Sequence, residues 1–150
     1  SERDIFIDPN PNPLISYEER RRLFNSKNGH WSEYKKFSKG GGVFSRSSKS
    51  ITITPEIKEL LNYSQDTIDA DELARKVLRL KVDMLYHGGI GTYIKSSEES
   101  NLEIGDKENE YVRVDANEIK AYSICEGANL AITQKARMEY ALNGGKINLD

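Results

Sequence analysis

Apolar positions in this chain come in short runs separated by clusters of proline, glycine and serine, and their spacing predicts the elements. Ile5, Phe6 and Ile7 read as a strand. The stretch Asp8-Pro9-Asn10-Pro11-Asn12-Pro13 reads as its extended exit, because proline fixes φ and lacks a donor. Ser16 stands three residues before Glu19, the spacing of a capping box, and predicts a short helix to about Phe24. Trp31, Tyr34 and Phe37 recur at threes, which predicts a second short helix with an aromatic stripe. Alternating Ile51-Thr52-Ile53 predicts a strand, and Thr54-Pro55 a helix opening with Ile57, Leu60 and Leu61 on its apolar side. From Asp69 a further helix places Leu73, Val77 and Leu80 on one face.

The second half repeats this alternation. Val82-Asp83-Met84-Leu85-Tyr86 reads as a mostly buried strand that runs into His87-Gly88-Gly89-Ile90-Gly91-Thr92-Tyr93. Residues 96–109 are polar and loop-like, 115–120 suit a short helix, and Tyr122-Ser123-Ile124-Cys125 suits a strand that stops at Glu126-Gly127-Ala128-Asn129. Thr133 caps a last helix ending near Asn143-Gly144-Gly145, and Ile147-Asn148-Leu149 begins another strand. Strands alternating with helices predict an α/β fold with a mostly parallel sheet.

Composition narrows the function classes. The chain has 150 residues, Lys+Arg 22 against Asp+Glu 24, and 37% hydrophobic residues, which suits a globular segment able to bury a core. A net charge of -2 argues against a groove that neutralises many phosphates, so no nucleic-acid partner is expected. The single Cys125 cannot form an internal disulfide, and no Cys/His cluster has zinc spacing, so a reducing compartment and no metal are expected. No apolar run spans a membrane, and the reading is cytoplasmic.

Chemistry in open α/β sheets sits beyond the carboxyl ends of the strands. Two glycine turns are expected there, Gly88-Gly89 and Gly127-Ala128-Asn129, where main chain can lie against a flat ring or a ribose without an intervening side chain. Neither glycine cluster completes a dinucleotide fingerprint: Gly89-Ile90-Gly91-Thr92-Tyr93-Ile94 carries Ile94 where the third glycine or alanine belongs. No Walker A sequence is present. Gly40-Gly41-Gly42 permits close approach to a phosphate, but such a run reads first as a loop. Cys125 with His87 as its base is the only thiol pairing on offer, and a cysteine inside an apolar strand reads as inert. Glu126 could act as an acid or base but reads first as holding neighbouring amides or a helix N-terminus, and Arg20-Arg21-Arg22 reads as a solvated face.

Four motifs in order go further: Asp4-Ile5-Phe6-Ile7-Asp8-Pro9-Asn10-Pro11, Lys39-Gly40-Gly41-Gly42-Val43-Phe44-Ser45-Arg46, the stretch from Val82 to Tyr93, and Glu126-Gly127-Ala128-Asn129-Leu130. Together they resemble the bacterial large-type NAD-dependent glutamate dehydrogenases over essentially the whole chain. The resemblance implies that residues 1–150 are part of the NAD-binding domain of a much longer enzyme. The implied fold is Rossmann-like and incomplete, lacking its first β-α-β unit. The implied reaction is oxidative deamination of L-glutamate to 2-oxoglutarate and ammonia with hydride passing to NAD.

Gly88 and Gly89 match the turn that lies against the nicotinamide half of the cofactor, Gly127 matches the second turn, and Asn129 matches an asparagine near the nicotinamide ribose. The acid that reads the adenosine ribose is expected at about Ser1. Catalytic residues and the glutamate site are expected in a substrate domain outside this span, so the chain alone is expected to be inactive. With the central strand of the order 3-2-1-4-5-6 absent, the Val82 strand should expose an apolar edge. The isolated chain is then expected to pair that edge with a second copy, as an edge-strand dimer, or with its own rearranged N-terminal segment, and the whole enzyme is expected to be a homo-oligomer. The competing reading is a non-catalytic regulatory or interaction module on the same scaffold.

Overall fold

The computed structural model describes residues 4–27, 29–89, 91–128 and 130–148. The chain divides into two compact units with the boundary after Ala70. In the first, β1 (Asp4–Ile7) is followed by α1 (Pro13–Phe24), and β1 pairs antiparallel with β2 (Gly42–Ser45). Ile5 and Ile7 are buried, while Phe6 on the opposite face meets the rings of Trp31, Tyr34 and Phe37 at centroid distances of 5.0, 4.8 and 5.1 Å. That aromatic stripe is not a helix. A single 3-10 turn covers Trp31–Glu33 and the chain is extended at Tyr34, so the spacing of three serves rings converging on Phe6.

The first helix also differs from the expectation. It opens four residues before Ser16: Asn12 is the N-cap, its side chain accepting from the amides of Leu14 and Ile15 at 3.1 Å, with Pro13 as the first helical residue. Pro13 therefore begins the helix instead of ending the extended stretch. Glu19 is turned inward, accepting a bidentate bond from Arg22 at 2.7 and 2.8 Å and the amide of Lys35 at 2.9 Å. The Arg22 hydrogen bonds hold its carboxyl down at about 2. Arg20 lies 5.5 Å from the centroids of Phe6 and Trp31, so two members of the arginine run are used inside the unit.

β3 (Ile51–Thr52) leads to α2 (Pro55–Leu61), capped by Thr54 as expected, and then to β4 (Thr67–Ile68), which pairs antiparallel with β3. The glycine run is explained by the chain itself. Gly40 has φ +79, and a Cβ there would stand 2.5 Å from a carboxylate oxygen of Glu56 and 2.7 Å from the Thr54 hydroxyl. A Cβ on Gly41 would stand 2.9 Å from the Phe37 ring.

α3 (Ala70–Leu78) leads into the second unit, which contains β5 (Met84–His87), β6 (Ile94–Lys95), α4 (Asn101–Ile104), β7 (Val114–Asp115), β8 (Ser123–Glu126), α5 (Gln134–Leu142) and β9 (Lys146–Ile147). β5, β8 and β9 form a parallel sheet in that order, and β6 pairs parallel with β7. The second unit is thus α/β with parallel pairing throughout its described strands, whereas the first unit is antiparallel, so "mostly parallel" holds for only half of the chain.

One face of the three-stranded sheet carries Leu85, Ile124 and Ile147 onto a core of Ile94, Val114, Ala131, Ile132, Ala136 and Tyr140. The other face carries exposed Met84 and Tyr86, so β5 is buried on one side and not on both. Residues 115–120 hold only a 3-10 turn at Ala116–Glu118, and the loop expected at 96–109 contains α4, opened by a Ser100–Glu103 capping box. That segment is pinned by Arg113, whose buried guanidinium donates to the carbonyls of Thr92 (2.8 Å) and Asp106 (2.5 Å) and to Asn101 Oδ1 (2.9 Å).

Candidate functional site

The site is built at the carboxyl ends of β5 and β8. Parallel register sets Tyr86 beside Cys125 and His87 beside Glu126, and side chains alternate along each strand. The turn after each strand contains the glycines singled out above. They are joined directly, because the amide of Gly127 donates to the carbonyl of His87 at 2.8 Å. The exit of the second turn is tied back as well: the Thr92 hydroxyl donates to the Leu130 carbonyl at 2.8 Å, and the Tyr93 amide to the Ala131 carbonyl at 2.8 Å. Gly88, Gly89 and Gly127 are therefore brought together. Asn129 and Ser1 lie outside the described residues.

The glycines differ in what faces them. A Cβ on Gly89 would meet nothing within 4 Å. On Gly88 it would stand 2.8 Å from the Tyr86 ring, and on Gly127 2.6 Å from the Tyr86 hydroxyl. Tyr86, 65% exposed, therefore leans over both turns, a neighbour the sequence did not point out. Gly89 offers bare main chain to a ligand, and a flat ring can replace or stack on the Tyr86 ring beside Gly88 and Gly127.

His87 ends β5 on the core side, where burial pushes its imidazole down to about 4 and leaves it neutral at pH 7. Its ring stacks on Tyr93 at 6.2 Å, and its Nε2 is buried without a hydrogen-bond partner. Cys125 faces the opposite side of the sheet, so the Cys125–His87 dyad is ruled out by register. Glu126 and Arg137 were not read as a pair from the sequence. Both are buried; the Glu126 carboxylate accepts from Arg137 and, at 2.7 Å, from the Ala131 amide, while Arg137 also donates to the Asn148 carbonyl at 3.2 Å. The available signal was one arginine in the stripe of Ala136 and Tyr140, which otherwise packs into the core.

A groove of about 630 Å³ lined by Ser96, Lys135, Met138 and Leu142 runs along α5, and none of the three glycines lines it. Among the described residues, no group of three or more His, Cys, Asp or Glu could hold a metal ion, and no helix is long and apolar enough to cross a membrane.

Parallel strands with glycine turns joined at their carboxyl ends place this unit in the α/β class. Comparison with known proteins makes this specific: all 150 residues match the family described as Bacterial NAD-glutamate dehydrogenase, catalytic domain, and the chain belongs to that family. It is 49% identical over 148 residues to the NAD-specific glutamate dehydrogenase of Pseudomonas aeruginosa and 46% identical over 148 residues to that of Halomonas elongata, covering 97% of this chain and 9% of each relative. The enzyme of the same name from Mycobacterium tuberculosis is 44% identical over 157 residues, covering 99% of this chain and 10% of its own. The chain thus spans about a tenth of the length of these curated relatives.

Proposed function

We propose that this chain supplies the nicotinamide-facing part of an NAD-dependent, cytoplasmic glutamate dehydrogenase acting on L-glutamate and 2-oxoglutarate, on a Rossmann-like scaffold completed by further chain. Family membership supports the reaction and the cofactor. The observation that carries the site is the direct joining of the two glycine turns, with Gly89 facing open space. NAD fits these residues: Gly88, Gly89 and Gly127 hold its nicotinamide half by main-chain approach, and Asn129 holds the adjoining ribose with an amide that both donates and accepts. Bound there, the nicotinamide supplies the hydride acceptor. The chain's residues orient that ring and keep side chains out of its way. Catalytic groups and the glutamate pocket are assigned to the rest of the longer enzyme.

The reading is tested in the full-length dehydrogenase with Gly89→Ala, Gly127→Ala and Asn129→Ala. In this structure the first added methyl meets nothing, and the second crowds the exposed end of Tyr86 and lies at an ordinary 3.7 Å from the His87 carbonyl, so folding should be preserved. We expect each variant to raise the KM for NAD about tenfold or more, equivalent to roughly 1.4 kcal/mol of lost interaction. Native KM and kcat in all three variants would reject the site and favour the non-catalytic module.

For the chain on its own, the edge of β5 supports pairing with a second copy, since among the described residues β5 pairs with β8 alone. Light scattering that shows a monomer up to the highest attainable concentration would overturn that dimer.

A further inference from the structure

We infer that the buried Glu126–Arg137 pair is a positioning device that sets the turn at residues 127–130 for the cofactor, an inference that rests on the cofactor reading above. Only four residues separate Glu126 from Ala131, and the Glu126 carboxylate accepts the Ala131 amide at 2.7 Å, so one side chain closes the turn from which it departs. At the start of the turn, the Gly127 amide is fixed to the His87 carbonyl at 2.8 Å. Both ends of the turn are thereby held to the sheet.

Arg137 orients the clamp. Its guanidinium reaches Glu126 from α5 and the Asn148 carbonyl just beyond β9, so three elements meet at one cation. The neighbouring stripe residues Ala136 and Tyr140 are core residues, and an apolar side chain at 137 would suit that stripe equally well. Taking two charges out of water costs more than an apolar pair of the same volume, and such pairs are often replaced without loss of stability. An apolar pair fills space but offers no acceptor to the Ala131 amide. What the ion pair adds is the geometry of the turn.

The test uses two double variants of the full-length dehydrogenase. Glu126→Leu with Arg137→Met removes both charges and the acceptor; Glu126→Gln with Arg137→Met removes the charges but keeps an amide oxygen for Ala131. We expect the thermal midpoints of both to stay within a few degrees of the parent. The Leu/Met pair should raise the KM for NAD about tenfold or more, with a smaller change in kcat, and hydrogen exchange of the peptide containing Ala131 should speed up. The Gln/Met pair should rescue both KM and exchange protection.

Unchanged exchange at Ala131 in the Leu/Met pair would overturn the clamp, whatever the cofactor does. Faster exchange there, with native KM for NAD, would overturn its positioning role. If Gly89→Ala, Gly127→Ala and Asn129→Ala also all leave KM and kcat native, the cofactor reading itself has failed, and the exchange result still decides whether the clamp exists.

Discussion

Tyr86 and Cys125 stand opposite each other in the parallel pairing of β5 and β8 and project from the same face of the sheet, so the thiol lies away from the imidazole of His87. A thiol acts as a nucleophile when a base or a positive environment draws off its proton, and neither is supplied by this strand pairing. Cys125→Ser in the full-length dehydrogenase is therefore expected to leave kcat within about twofold of the parent, since the loss of one catalytic group costs orders of magnitude. A hundredfold fall in kcat would show that the thiol takes part.

His87 gives the second unit a pH-dependent stability. Burial lowers its folded value from 6.5 to about 4, so between those values the unfolded chain binds a proton that the folded chain does not. Stability falls as pH drops from about 6.5 to about 4 and levels off below, with a total contribution on the order of 3 kcal/mol. His87→Phe keeps a ring against Tyr93 and cannot titrate. Urea unfolding at pH 7, 5.5 and 4 should show a shallower acid loss in that variant, and identical pH profiles would refute the assignment.

Glu19 acts in the opposite part of the acid range. Its folded value near 2 lies below the ordinary 4.5, chiefly through the Arg22 hydrogen bonds, so its contribution is fully present above about 4.5 and is lost as pH falls through about 2. Glu19→Gln is expected to lose roughly 2 kcal/mol at pH 7 through weaker bonds to Arg22 and to the Lys35 amide. The gap between parent and variant should close on acidification toward pH 2. A gap constant with pH would mean that the carboxylate charge is not what matters.

Gly91 and Gly89 are two residues apart and should respond differently to alanine. Gly91 has φ +98, and a Cβ there would run into the side-chain amide of Asn109, which is held by Asp106 at 2.9 Å. Gly91→Ala should cost at least about 1–2 kcal/mol from the backbone conformation alone. Gly89→Ala should change stability by less than about 0.5 kcal/mol, in line with its open surroundings. Equal midpoints for the two variants in thermal unfolding would contradict the geometry.

Local signals were legible where one residue decides the outcome. Thr54 before Pro55 and Thr133 before Gln134 each place a hydroxyl on an amide three residues on, and both helices start where that chemistry says. Pro13 was ambiguous because proline both ends extended segments and opens helices, and Asn12 decided for the helix. The two-residue strands β4, β6 and β7 are too short to show a period. At the site, the glycine turns were legible because glycine marks main-chain approach. Tyr86 leaning over them and Arg137 reaching Glu126 were not, since both contacts depend on how strands and helix pack.

The glycine run that begins at Gly40 couples positions far apart in the chain. Gly40 is packed against Glu56 and Thr54, the Thr54 hydroxyl donates to the Gly40 carbonyl at 2.9 Å, and Lys39 is paired with Glu56 at 2.8 Å. A methyl at position 40 would stand 2.9 Å from the Cβ of Glu56 as well as 2.5 Å from its carboxylate, so shortening residue 56 does not make room, and φ +79 strains any side chain there. Among related chains, position 40 should therefore stay glycine whatever stands at 54 and 56, whereas the exposed Lys39 is free to change on its own.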